Sequence, residues 1–159
     1  MDTHPRVAAV MAAASRAGLE IEVRRFPEGT RTAADAAAAI GCSVAQIVKS
    51  LVFMADDGPV VALLSGVDRL DTARLASTMG AASVRRATGD EARAATGYAI
   101  GGVPPFGHAQ ALPVLMDRGL FEHEIVWAAA GLPDAVFSVA PGRLQSAAAA
   151  ELADLAEGR

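Results

Sequence analysis

The chain has 159 residues, of which 52% are hydrophobic and 20% charged, a composition that excludes a disordered protein and suits one compact domain. Its net charge of −4 and aromatic content of 4% argue against a protein that grips long DNA or RNA through many phosphates or stacked bases. We therefore expect a single domain over residues 1–159, in which any contact with RNA is local and DNA is not a partner.

The rarer residues indicate the cellular compartment. One cysteine, Cys42, cannot form a disulfide within the chain, which suits a reducing compartment. The three histidines, His4, His108 and His123, lack the spacing of metal ligands. No apolar run approaches 18 residues, and the N-terminus has no signal pattern. We expect a cytoplasmic protein with no metal, no cofactor and no membrane partner.

The first half of the chain predicts short helices and strands. Apolar periodicity predicts a helix over Pro5–Ala17, and Thr32 is placed to cap a helix that ends before Gly41. A turn at Asp57-Gly58 joins two apolar runs, the second continuous enough for a central strand. The strands predicted here are Glu20–Arg24, Ile47–Met54 and Pro59–Ser65.

The second half repeats this mixture. Asp71 is placed to cap a helix over Thr72–Met79, and Thr88 and Glu91 have the spacing of a capping box. Pro141 suits the first turn of a helix, and a second, alanine-rich helix is expected to run through Ala156. The predicted strands are Ser83–Arg85, Val114–Met116, Ile125–Ala130 and Ala135–Val139.

These elements amount to six or seven strands and five or six helices. Strands do not alternate regularly with long helices, so a doubly wound sheet is disfavoured. The hairpin signals favour a mixed α/β fold in which a mixed sheet curls on itself.

Lys49 is the only lysine in a chain with thirteen arginines. It lies in an apolar, strand-like run, where a compact ammonium rather than a planar guanidinium indicates a special requirement. The alternative is an ordinary surface lysine at the start of a strand.

The segment from Thr96 to His108 contains four glycines and two prolines. Glycine lets a backbone approach a ligand closely, and proline stiffens the loop and removes N–H donors. The pattern is equally consistent with a binding loop and with a tight structural turn that contains a cis-proline.

Together, three segments resemble the YbaK/prolyl-tRNA synthetase editing-domain family of aminoacyl-tRNA deacylases. They are residues 45–52, residues 64–71 and the loop from Thr96 to His108, and the order of elements follows the family from about Glu20 to Leu155. The glycine–proline loop is the specific part of the match. The resemblance implies a barrel-like mixed sheet surrounded by helices, and a substrate that is an aminoacyl ester on the 3′-terminal ribose of tRNA.

Hydrolysis of such an ester passes through an oxyanion, which needs hydrogen-bond donors. We predict that the amides of Gly101, Gly102 and Val103 supply them, and that Lys49, the position essential in the family, adds a cation. The substrate's 2′-hydroxyl is expected to activate water, with His108 as the competing base or, as we prefer, a loop anchor. The remaining predicted substrate-binding residues are Thr30, Thr32, Ile47, Ser50, Leu64, Ser65, Gly66, Pro104, Pro105, Phe106 and Gly107.

The predicted function is removal, in trans, of a small amino acid such as alanine or cysteine from mischarged tRNA(Pro). The partners are then the acceptor end of that tRNA and, as a second candidate, an aminoacyl-tRNA synthetase. Two alternatives stay open: a non-catalytic binding module on the same fold, and a hydrolase of small esters unrelated to tRNA.

Overall fold

The computed structural model describes residues 4–26 and 32–158. The predicted substrate-binding residue Thr30 lies outside the described residues. None of the described helices has both the length and the apolar character needed to cross a lipid bilayer. The described α-helices are α1 (Pro5–Arg16), α2 (Ala33–Ile40), α3 (Thr72–Met79), α4 (Gly89–Thr96) and α5 (Pro141–Ala148).

Eight strands in the described part of the chain form two sheets. A three-stranded sheet has the order β1-β7-β6, and a five-stranded sheet has the order β4-β2-β3-β5-β8. The strands are β1 (Val23–Arg25), β2 (Val48–Ala55), β3 (Gly58–Ser65), β4 (Val84–Arg86), β5 (Val114–Asp117), β6 (Val126–Ala129), β7 (Ala135–Val139) and β8 (Glu151–Ala153).

The mixed α/β class is confirmed, but the barrel-like sheet is not found. The larger sheet is mixed, since β3–β5 and β5–β8 pair in parallel whereas β2–β3 and β2–β4 pair antiparallel. The two sheets pack over one large core that includes Val61 and Met116 from the larger sheet and Val126 and Phe137 from the smaller. Strand alternation predicts the faces of each strand but not whether the sheet closes, which depends on pairing between distant strands.

The β2–β3 hairpin forms the centre of the larger sheet, as the continuous apolar run predicts. Its register runs from Val48 opposite Ser65 to Ala55 opposite Gly58, so the turn is centred on Asp56 and Asp57 rather than on Asp57-Gly58. Both aspartates have positive φ, 49° and 68°, which this type of turn requires. The Asp56 carboxylate accepts hydrogen bonds from the amides of Ala82 and Ser83 and so fixes the turn against β4.

Local capping chemistry was predicted correctly. Thr32 and Thr88 each form a capping box, with Asp35 and Glu91 respectively. Asp71 accepts hydrogen bonds from the first turn of α3. Each of these caps satisfies backbone N–H groups that a helix start otherwise leaves without partners.

The predicted alanine-rich helix through Ala156 is wrong. Helix α5 ends at Ala148, because Ala149 adopts a left-handed conformation with φ 49°. The chain then forms β8, which pairs in parallel with β5. The high helix propensity of alanine is overridden here by tertiary pairing.

Strand β2 has different neighbours at its two ends. Strand β4 pairs only with residues 53–55, and near the other end Ile47 forms a parallel bridge with Trp127, the second residue of β6. Between them the edge of β2 over residues 48–52 borders a cavity. The candidate site lies there.

Candidate functional site

The cavity at the open edge of β2 has a volume of about 240 Å³. Its walls come from β2, the end of β4, β6, the start of α2 and the glycine–proline loop. It therefore brings together segments that are far apart in the sequence. The predicted site residues that line it are Thr32, Ile47, Lys49, Ser50, Gly101 and Val103.

Lys49 is half-buried, and its ammonium donates a hydrogen bond to the backbone carbonyl of Asp68. Burial lowers the pKa of Lys49 below its usual 10.5, and Arg86 and Arg69 lower it further. The negative charge of Asp68 opposes them and favours the ammonium. An ammonium has three donors, so the bond to Asp68 leaves two for a ligand.

Lys49 and Ser50 leave opposite faces of the sheet. Lys49 lies opposite Leu64 and Ser50 opposite Leu63 in the hairpin register. Leu63 belongs to the core between the sheets and Leu64 to the cluster on the other face. Both residues line the cavity because it lies along the strand edge, where the two faces meet.

The glycine–proline loop is pinned at its base. The amide of Ala109 donates to the Thr96 carbonyl at 2.9 Å, which closes the loop ends on each other. The His108 ring donates its Nε2–H to the Pro104 carbonyl at 2.7 Å, because a carbonyl oxygen can only accept. His108 thus anchors the loop, as we prefer from the sequence. No peptide bond in the described residues is cis, so the cis-proline alternative is wrong.

The amides at the tip of the loop are not equivalent. Gly102 donates its N–H to the Ala99 carbonyl at 3.0 Å within a turn, so the predicted use of this amide for a ligand is not met in this structure. The N–H groups of Gly101 and Val103 donate to no described residue, and both residues line the cavity. These two amides are the remaining candidate donors.

Backbone conformation and close packing explain why glycines occupy the tip of the loop. Gly101 has φ +93°, a conformation that L side chains rarely adopt. A Cβ at Gly102 would lie 2.9 Å from the Gly131 carbonyl oxygen, because the tip packs on the turn between β6 and β7. A side chain would therefore strain the backbone at Gly101 and displace the loop tip at Gly102.

Small side chains dominate the walls of the cavity. The alanines are Ala33, Ala36, Ala87, Ala92, Ala128 and Ala129, and the valines are Val48, Val52, Val103 and Val136. Such walls leave room for a small apolar group but offer little polar contact.

Several predicted binding residues lie away from the cavity. Leu64 and Ser65 are buried in the hairpin, and Ser65 donates to the Ala45 carbonyl at 2.7 Å. Phe106 lies in the main core against Phe137, with ring centroids 5.7 Å apart. None of the following lines the cavity among the described residues: Leu64, Ser65, Gly66, Gly102, Pro104, Pro105, Phe106, Gly107 and His108.

Among the described cavity residues that were not predicted as site residues, two have a charged or aromatic side chain. Arg86 ends β4, and its guanidinium lies 5.8 Å from the centroid of the Phe53 ring. The guanidinium of Arg24 lies 5.4 Å from the centroid of the Trp127 ring, and Trp127 lines the cavity. Their only sequence signals are the Arg85-Arg86 pair and the single tryptophan, which do not reveal that β4 and β6 flank the same edge of β2.

Comparison with models of protein families identifies the family of this chain. The model of the aminoacyl-tRNA editing domain matches residues 27–147, which is more than half of the chain. The chain belongs to the aminoacyl-tRNA editing domain family. Its resemblance to the editing domains of prolyl-tRNA synthetases is confirmed, since curated proline–tRNA ligases from Streptococcus pyogenes are 33% identical to this editing domain over 131 residues. That match covers 80% of the chain but about a fifth, 21%, of the ligase.

Solved structures share the fold of this editing domain. One, described as a proposed trans-editing enzyme for prolyl-tRNA synthetase, is 42% identical with a TM-score of 0.93 and covers 99% of this chain and 100% of its own. Another, a hypothetical protein, is 31% identical with a TM-score of 0.87 over 94% of this chain and 99% of its own.

Proposed function

We propose that this editing domain acts in trans as an aminoacyl-tRNA deacylase, which removes a small amino acid such as alanine or cysteine from mischarged tRNA(Pro). The observation that carries the proposal is that Lys49, Gly101 and Val103 line one cavity, and that the amides of Gly101 and Val103 donate to no described residue. The family match and the likeness to a proposed trans-editing enzyme support the same reaction class.

The chemistry follows from the donors that border the cavity. Water adds to the ester carbonyl and gives up a proton, which leaves a tetrahedral oxyanion. Collapse of the oxyanion breaks the bond to the ribose 3′-oxygen, which takes up a proton and leaves as the 3′-hydroxyl. Donors directed at the developing charge accelerate such a step, and loss of one typically costs about 100- to 1,000-fold in rate. We assign the Lys49 ammonium and the amides of Gly101 and Val103 as the donors to this oxyanion.

The base that activates water is assigned to the substrate. Among the described lining residues there is no histidine, aspartate or glutamate. His108 lies outside the cavity lining, with Nε2 committed to the Pro104 carbonyl. The 2′-hydroxyl next to the ester is therefore our candidate for holding and orienting the attacking water.

The walls support a preference for small amino acids. Six alanines and four valines among the described residues line the cavity, so a larger substrate side chain would have to displace them. One methylene changes transition-state binding by only about 1–3 kcal/mol, so we expect a graded preference rather than an absolute one.

The partner is the acceptor end of tRNA in the cytoplasm. Because the net charge is −4, contact must be local, and Arg86 at the cavity and Arg24 over Trp127 supply local positive charge. A synthetase is a further candidate partner, since the curated relatives are proline–tRNA ligases.

The test is deacylation of alanyl-, cysteinyl-, seryl- and threonyl-tRNA(Pro) by the purified protein. We expect alanyl- and cysteinyl-tRNA to be hydrolysed fastest and threonyl-tRNA slowest, because the walls are built from small side chains. Correctly charged alanyl-tRNA(Ala) serves as the control for recognition of the tRNA body.

Two outcomes would overturn the proposal. No hydrolysis of any member at high enzyme concentration would favour a non-catalytic binding module. Equal hydrolysis of alanyl-tRNA and of a short alanyl ester without the tRNA body would favour a hydrolase of small esters.

A further inference from the structure

Arg24 in β1 lies against two aromatic rings. Its guanidinium carbon is 5.4 Å from the centroid of the Phe26 ring and 5.4 Å from that of the Trp127 ring. Aromatic rings attract a guanidinium and limit its orientations, while the N–H groups at its rim stay available. Arg24 is exposed, and it forms no ion pair with a described residue. Its charge is therefore held in place and accessible to an anion.

The strand register places Arg24 on the cavity side of the smaller sheet. Arg24 lies opposite Val136 in β7, and Val136 lies opposite Ala129 in β6. Side chains directly opposite in antiparallel strands share a face, and so do residues two apart along one strand, which adds Trp127. Val136, Ala129 and Trp127 all line the cavity. The Arg24 side chain therefore leaves the face that forms a wall of the cavity.

The next residue, Arg25, provides a contrast. It lies opposite Ala135, which belongs to the main core, so its side chain leaves the other face of the sheet. Its guanidinium donates to the Asp134 carboxylate at 3.2 Å. Of these two consecutive arginines, Arg24 is the one placed to bind an anion beside the cavity.

The chemistry of this place fits a phosphodiester. A planar guanidinium can donate parallel hydrogen bonds to two oxygens of one phosphate. Because the net charge of the chain is −4, a polyanion must be bound by fixed local cations rather than by the overall charge. When an aminoacyl ester occupies the cavity, the phosphate nearest to it along the RNA is the one on the 5′ side of the terminal adenosine.

We propose that Arg24 binds the phosphodiester that precedes the terminal adenosine of tRNA, with the rings of Phe26 and Trp127 holding the guanidinium in position. This assignment rests on the proposed function, because it takes the aminoacyl ester to occupy the cavity. A phosphate contact positions the 3′ end of the RNA and carries no sequence information. Arg24 therefore acts on substrate binding and not on the reaction of the ester.

The test uses an alanyl-minihelix with the acceptor stem of tRNA(Pro), which carries either the natural phosphodiester or a neutral methylphosphonate at its last linkage. The methylphosphonate should raise KM of the wild-type protein about tenfold, because it removes a charge-assisted contact, and leave kcat unchanged. Arg24→Gln should show the same increase in KM on the natural minihelix. It should show no further increase on the methylphosphonate.

Salt dependence gives a second readout that a purely structural role would not change. Loss of one phosphate contact to single-stranded RNA should reduce the slope of log KM against log salt concentration by about 0.7, and Arg24→Gln should show this reduction. Arg25→Gln is the matched control, because it removes a neighbouring cation already paired with Asp134. It should keep the wild-type KM, salt slope and response to the methylphosphonate.

Binding can be followed without turnover through the fluorescence of Trp127, the only tryptophan in the chain. Arg24 lies against its ring, so a phosphate bound there changes the surroundings of the indole. The wild-type protein should bind an uncharged minihelix more tightly with the phosphodiester than with the methylphosphonate. Arg24→Gln should bind both equally.

The outcomes separate this assignment from the proposed function. An equal methylphosphonate effect in the wild-type protein and Arg24→Gln, or no effect in the wild-type protein, would overturn the assignment while hydrolysis of the alanyl ester still stands. No hydrolysis by the wild-type protein would overturn the proposed function. The fluorescence titration would then decide the phosphate contact by itself.

Discussion

Lys49 shows how the surroundings of one residue decide its chemistry. Burial lowers its pKa, the nearby guanidinium groups of Arg86 and Arg69 add to this effect, and the charge of Asp68 opposes it. Its bond to the Asp68 carbonyl also holds the side chain in one place. A fixed cation with free donors suits oxyanion stabilisation better than a mobile surface lysine does.

The lone lysine makes its pKa directly measurable. Protein labelled with ¹³Cε-lysine should give a single lysine resonance, and its titration should have a midpoint below 10.5, because burial outweighs the attraction of Asp68. The urea-unfolded protein is the control and should titrate near the usual value. A midpoint at or above 10.5 in the folded protein would show that Lys49 is solvated or strongly paired.

His108 predicts a pH dependence of stability. Burial lowers the pKa of His108 below its usual 6.5, although the hydrogen bond to Pro104 opposes the shift. Between the folded pKa and 6.5 the unfolded chain binds more protons than the folded one, so stability is present above 6.5 and is lost as pH falls through the folded pKa.

Urea unfolding at a series of pH values checks this sign. The wild-type protein should lose more stability below pH 6.5 than His108→Gln, whose side chain does not titrate. His123→Gln, which makes the same replacement at a histidine outside the loop, is the matched control. Identical slopes for the wild-type protein and His108→Gln would contradict the assignment of a buried, neutral His108.

At the residue scale, the sequence predicted part of the site. Lys49 was recognisable by its uniqueness, and Gly101 and Val103 by the composition of their loop; all three line the cavity. The hydrogen bond that occupies the Gly102 amide was not predictable, because a turn within the loop depends on its conformation. Likewise, Phe106 was predicted to bind the substrate, but it packs against Phe137 in the core. The composition of the loop does not distinguish these two positions.

At the scale of elements, the C-terminal strand depends on one carboxylate. Asp117 at the end of β5 is 2% exposed, and its Oδ1 accepts the amides of Leu155 and Ala156 at 2.8 and 3.3 Å. Its Oδ2 accepts the amide of Gly119 at 3.0 Å. The carboxylate thus joins the segment after β8 to the turn after β5 and satisfies buried N–H groups of both.

Asp117→Ala should therefore lower the free energy of unfolding by about 3 kcal/mol, because it leaves buried N–H groups without an acceptor. Asp117→Asn keeps one acceptor oxygen and should cost less. The exposed neighbour Asp154→Ala should change stability little, and denaturant unfolding measures all three. A loss no larger for Asp117→Ala than for Asp154→Ala would contradict this role.

The elements differ in how well the sequence predicts them. Helix starts at Thr32, Asp71 and Thr88 depend on chemistry within three residues, and all were predicted correctly. Strand β8 was missed because alanine favours a helix locally, whereas pairing with β5 and the amides held by Asp117 favour a strand. Predictions failed where the stabilising partner is distant in the sequence.

At the scale of the whole molecule, the order of the strands creates the cavity. Strands β4 and β6 lie along different parts of the same edge of β2, and the space between them is the cavity. The loop closes it from residues about fifty positions further along the chain. No single segment contains the cavity, which explains why the sequence identified the family but only part of the cavity lining.

The central claim is that the Lys49 cation stabilises the oxyanion, and deacylation of alanyl-tRNA(Pro) by Lys49→Ala tests it most directly. Arg69→Ala, which removes a nearby cation that does not line the cavity, is the matched control. We predict that Lys49→Ala lowers the rate at least 100-fold while the fold is retained, and that Arg69→Ala stays close to the wild-type protein. Unchanged turnover in folded Lys49→Ala would contradict the account.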